Sequence, residues 1–184
     1  MSPPTVIGMN PIEQEEYTAL RATIQARGTT RVWIFVVAAG VWAALTLAMV
    51  ALTLPPVAAL VPLIVLAAAF EAVFALHVGV ERIGRYLEVF HQDRWERTAM
   101  AFGPVLAGTR SDPLFVLIFS GATILNLFPV FIAGPLPVEL AVIGAAHAIF
   151  IGRLARAHFV TARQRLSDLA RFKEIQSSEL RSNK

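Results

Sequence analysis

The sequence predicts an all-α membrane protein: four transmembrane helices arranged as two antiparallel hairpins, with amphipathic N-terminal, central and C-terminal cytoplasmic helices. Three observations predict it. Residues 32–54 and 57–79 hold one carboxylate and one histidine between them. Each run is long enough to cross about 30 Å of hydrocarbon at about 1.5 Å per helical residue. Residues 113–133 and 137–151 are two further apolar runs. All 16 lysines and arginines fall within 1–31, 81–112 or 153–184, and none lies in the two proline-rich turns between paired runs. Finally, 56% of the 184 residues are hydrophobic and 16% charged, which departs from soluble composition in the membrane direction.

Positive residues favour the cytoplasmic side, so both termini and the central loop are expected in the cytoplasm of a multi-pass inner (plasma) membrane protein. The chain divides accordingly into an N-terminal helix (1–31), a first hairpin (32–79), a connector (80–112), a second hairpin (113–152) and a C-terminal helix (153–184). The N-terminus lacks the basic and apolar regions of a signal peptide, so the first span is expected to serve as its own insertion signal.

Asn10 and Pro11 read as the cap and first position of a helix, with Glu13, Glu15 and Glu16 favouring its positive end. Tyr17, Leu20 and Ile24 form its apolar stripe, and Gly28 is expected to stop it near Ala26. Thr29 and Thr30 can then cap the first membrane helix, with Trp33 at headgroup level. Gly40, Ala44 and Ala48 make a row of small residues that permits close helix approach.

Pro55 and Pro56 end this helix and begin the second, which meets no breaker between Pro62 and Gly79 and continues to about His91. Asp93 and Glu96 match a capping box opening a short interfacial helix to Phe102, closed by Gly103 and Pro104. Asp112 and Pro113 open the third span, which Pro129 should kink. After the turn at Gly134, Pro135 and Pro137, the fourth span carries a second small-residue row, Gly144, Ala148 and Gly152. No proline or glycine follows Arg153, so this helix should run on into the cytoplasm. Its stripe Leu166, Leu169 and Phe172 needs a partner, either the N-terminal stripe or the row Ile83, Tyr86, Leu87 and Phe90.

Polar residues at depth are few. Glu71 reads either as a proton- or cation-carrying group or as a carboxyl kept neutral or bonded to another helix. His77 and His147 read as ligands or proton carriers, or as single interhelical hydrogen bonds, with Glu81 a local partner for His77. Thr123 and Asn126 lie on a polar stripe expected at the depth of His147. Glu88 and His91 form one E-x-x-H half-motif with no second copy, so a di-iron site is not expected and the pair reads as solvated.

The chain contains no cysteine, which removes disulfides, thiolate metal sites and thiol catalysis. No Gly-rich phosphate loop, G-x-S-x-G or zinc-protease helix occurs, so neither an enzyme, a cofactor nor a metal is expected. The C-terminal segment carries eight basic against three acidic groups. Beside a membrane, Arg153, Arg156 and Arg163 are better matched to lipid headgroups than to nucleic acid. The expected role is a structural or accessory subunit whose partners are membrane lipids and either further copies of itself or other membrane subunits. The alternative is a small ion or proton channel or transporter with Glu71, His77, Asn126 and His147 near its pathway.

Overall fold

The structure, a computed structural model, describes residues 10–91 and 113–182. Among the described residues the regular structure is helical throughout: α1 (Pro11–Ala51), a 3-10 turn (Pro56–Ala59), α2 (Leu60–Phe90), α3 (Pro113–Leu125), α4 (Phe128–Ile132) and α5 (Pro137–Ser182). The expected interfacial helix at 93–102 and the Asp112 cap lie outside the described residues.

α1 starts as its sequence dictates. The Asn10 side chain accepts from the Ile12 and Glu13 N–H groups at 2.7 and 3.4 Å, and Glu13 accepts from the Asn10 N–H at 3.1 Å. That reciprocal pair satisfies otherwise orphaned donors. The expected stop at Gly28 does not occur; α1 runs unbroken for 41 residues and joins the N-terminal helix to the first apolar run. Thr29 and Thr30 are helix-interior residues rather than caps, their hydroxyls donating to the Gln25 and Ala26 carbonyls at 3.1 and 2.9 Å. A glycine ends a helix only where the chain turns left-handed, and nothing in ARGTTR imposes that turn.

α2 runs without interruption to Phe90, close to the expected limit. The third apolar run is not one helix. α3 ends at Leu125, and α4 resumes at Phe128 after the two-residue break of Asn126 and Leu127. Pro129 has no N–H to offer one turn back, so the ladder fails ahead of the proline rather than at it. Gly134 then adopts φ 67°, a left-handed conformation that glycine takes without steric cost. Glu139 accepts from the Leu136 N–H at 2.9 Å and caps the start of α5. α5 is continuous for 46 residues, as the absence of breakers requires.

α1, α2 with its preceding 3-10 turn, and α5 are long and apolar enough to cross a membrane, and 116–132 forms a shorter apolar stretch. Contacts between α1 and α2 run in opposite chain order, Glu16 meeting Tyr86 and Arg31 meeting His77. Those between α2 and α5 run in the same order: Phe70 with Phe150, Glu71 with Arg153, Arg85 with Asp168 and Val89 with Gln176.

The apolar core centres on Phe70, which stacks on Phe74 and meets Phe119 and Phe150 edge-on at 5.5 and 6.0 Å, with Leu63, Leu66 and Leu154 around it. A smaller cluster joins Met49, Ala59, Val130 and Ile143. Beyond these, α1, α2 and α5 continue together. Phe172 packs edge-on against Tyr86 and Phe90, a partner row expected for the α5 stripe. Leu169 is half-buried, whereas Leu166 is 74% exposed and leaves that stripe. Two residues before Asp168, it lies nearly half a turn away from the face that meets α2.

Candidate functional site

The most connected polar residue is Asn126, placed at the α3–α4 break where its side chain is free to cross between elements. It is fully buried. Its Nδ2 donates to the Ala59 carbonyl at 2.9 Å and lies 3.2 Å from His147 Nε2, while Trp42 Nε1 donates to its Oδ1 at 3.3 Å. His147 Nδ1 lies 2.8 Å from the Ile143 carbonyl. A carbonyl only accepts, so Nδ1 carries the proton and Nε2 accepts from Asn126, which fixes a neutral tautomer. One amide thus ties together α1, the 3-10 turn, the α3–α4 break and α5.

Thr123 is equally buried but turned to its own helix, its hydroxyl donating to the Phe119 carbonyl at 2.6 Å. The expected polar stripe therefore separates into an interhelical member, Asn126, and a local one. His77 is held elsewhere, with Nδ1 3.1 Å from Arg31 Nη1. That contact comes from α1. Glu81 accepts from Arg85 at 3.2 Å.

Glu71 is paired. Arg153 Nε and Nη2 approach its two carboxylate oxygens at 2.8 Å each, a two-pronged fork. The guanidinium carbon also lies 5.6 and 5.2 Å from the Phe70 and Phe74 ring centres, within cation–π range. Arg153, expected at lipid headgroups, thus engages Glu71, while Arg156 and Arg163 are exposed. Gly40, Ala44, Ala148 and Gly152 are exposed, and Ala48 and Gly144 half-buried. A Cβ added at Gly40, Gly144 or Gly152 would meet nothing within 4 Å.

Where the three long helices continue beyond the core there is a second polar group that motif reading missed. Arg85 is 2% exposed and bonded to Asp168 at 2.7 Å as well as to Glu81. Tyr86 donates to Glu16 at 2.8 Å. Burial, reinforced by that hydrogen bond and by the Glu16 and Glu179 charges, pushes the Tyr86 hydroxyl up to about 12. His91 sits against the Tyr17 and Tyr86 rings at 5.7 and 5.9 Å. Its Nε2 and Glu88 Oε2 are buried with no hydrogen-bond partner among the described residues, so the E-x-x-H pair is half-covered rather than fully solvated. The spacing of i, i+3 reveals which groups share a face, not whether another helix covers it.

The chain matches no family model, no curated protein and no solved structure. No group of three or more His, Asp or Glu able to hold a metal occurs among the described residues. Among the described residues, one cleft of about 250 Å³ lies between the 52–56 turn and α4, and another of about 60 Å³ between α1, α2 and α3. Neither is lined by Glu71, His77, Asn126 or His147.

Proposed function

We propose that this chain is an integral inner-membrane protein whose four spans form two antiparallel hairpins, with both termini and the 80–112 connector in the cytoplasm. Its role is that of a structural or accessory subunit, assembling through helix packing with further copies of itself or with other membrane proteins. The single observation that supports this best is that the small-residue rows face largely outward. Gly40, Gly144 and Gly152 have open space where a side chain would be, and Ala44 and Ala148 are exposed. In lipid, helix association draws on close van der Waals approach, and such rows are the surfaces that allow it.

The polar groups in the apolar zone support the same reading by being occupied. Glu71 is forked by Arg153, His77 meets Arg31, and Asn126 joins Trp42, Ala59 and His147. A conduction path needs these groups on one shared aqueous route, and their division among three separate bonding groups favours assembly over transport. Arg156 and Arg163, exposed at the start of the cytoplasmic part of α5, suit anionic lipid headgroups. Isolation of two differently tagged copies from one membrane in mild detergent tests the proposal. Each tag should recover the other copy, or a second membrane protein in stoichiometric amount. Recovery of a stable lone monomer would overturn it.

A further inference from the structure

The Glu71–Arg153 pair is on the outside of the molecule. The Glu71 side chain is 50% exposed and that of Arg153 36%. Its surroundings on that face are mostly apolar or small: Ile64, Ala68 and Ala75 on α2, and Val142, Ile149 and Val160 on α5, all exposed, with exposed Arg156 one turn beyond Arg153. If the chain spans a bilayer, as proposed above, Glu71 lies within the span and Arg153 at its cytoplasmic end, and the outer half of the carboxylate is flanked by apolar surface of this chain. Charged groups in hydrocarbon are costly unless fully engaged. The fork uses two of the five guanidinium N–H groups and one lone pair on each carboxylate oxygen, so both partners retain hydrogen-bonding capacity.

Whatever covers the pair must therefore bring an acceptor to Arg153 and a donor to Glu71, side by side and at one depth. We infer that the cover is a second copy of this chain, related by a two-fold axis along the membrane normal and passing between the two charges. Because α2 and α5 run the same way and the fork itself joins them, the Glu71 and Arg153 charges lie at the same height across the helix pair. Rotation about the normal sets Glu71 of one copy opposite Arg153 of the other, twice over. The interface is self-complementary, as two-fold packing requires. Rotation about the line joining the charges would instead face Glu71 with Glu71 and turn one copy upside down. An anionic headgroup suits Arg153 but repels Glu71, leaving the carboxylate uncovered. Ala68 and Ala75, one turn either side of Glu71, let the second backbone come close.

The test uses the full chain carrying either of two tags, co-expressed and extracted in native lipid. Glu71→Arg makes this face doubly positive and Arg153→Glu makes it doubly negative. Each variant alone should lose cross-tag recovery by about tenfold or more, because like charges meet across the axis. Mixing the two variants should restore it, since the doubly positive face then meets the doubly negative one. A second reading keeps the internal pair intact. The chain has no cysteine, so Ala75→Cys introduces a single thiol, and a short bifunctional thiol reagent in intact membranes should produce a species of doubled mass.

Cross-tag recovery unchanged in both charge variants would overturn this interface and leave assembly by another face standing. The same follows if Ala75→Cys yields only single-chain mass while wild-type copies still recover each other. A wild-type particle of one chain, retaining anionic lipid through Arg153, would overturn both the interface and self-assembly. Failure of the mixed variants to pair while the thiol species also stays monomeric would overturn the interface outright.

Discussion

Asn126 has four hydrogen-bonding positions and uses three, reaching Trp42, Ala59 and His147 in three different elements. Replacing it with Leu strands an indole N–H, a carbonyl and an imidazole nitrogen in an apolar interior. The expected loss is roughly 1–3 kcal/mol, measured by reversible unfolding in detergent or bicelles. Thr123→Val should cost less, about 0.5–1 kcal/mol, because its hydroxyl serves only a carbonyl of its own helix. Equal losses would mean that the Asn126 network does not join the elements. Asn126, Thr123 and His147 were legible in the sequence as polar residues in apolar runs. Trp42 was not, because an indole in an apolar helix carries no sign of its acceptor, here 84 residues away. The same holds for Glu71 and Arg153, 82 residues apart and united only by the parallel register of α2 and α5. Tyr86 supplies a pH test. Its proton is held to about 12 against an ordinary value of 10.0. The folded state therefore binds this proton more tightly, and its contribution to stability is complete below pH 10 and lost as pH rises towards 12. Phenolate absorbance should show a late component that Tyr86→Phe removes; a component at the ordinary value would contradict the Glu16 bond.

At the scale of elements, continuity of α1 through Gly28 is the clearest departure from what the sequence suggested. Glycine is a common helix stop, but it is equally a tolerated interior residue when its neighbours keep the ladder. Gly28→Ala should raise stability by about 0.5–1 kcal/mol, since the new Cβ meets nothing within 4 Å and helix propensity improves. Destabilisation would indicate a left-handed turn at that residue. The start of α1 was legible because Asn10 and Glu13 bond as near neighbours, whereas the start expected at Thr29 and Thr30 falls inside α1. Packing beyond the core was legible only as faces. The i, i+4 ion pair of Glu81 and Arg85 forms, and Arg85 is in addition buried against Asp168 from α5, 83 residues away. Asp168→Ala leaves that guanidinium with Glu81 alone. It should destabilise the chain more than the double change Arg85→Met with Asp168→Leu, which removes both charges. The reverse order, in thermal denaturation of the two purified proteins, would show that the pair is not desolvated.

Across the whole molecule, α1, α2 and α5 each extend from a core of apolar side chains into a region held by Arg85, Asp168, Tyr86 and Phe172. That arrangement fits a membrane subunit with a cytoplasmic docking end, and every polar side chain considered for a pathway lies in a bond that joins helices. The central claim is that these groups fasten helices rather than carry ions. Its most direct test is flux through the full-length chain reconstituted in vesicles loaded with a pH- or cation-sensitive dye. The account predicts flux equal to that of protein-free vesicles and unchanged by Glu71→Gln. Flux well above the empty vesicles that falls in Glu71→Gln would contradict it.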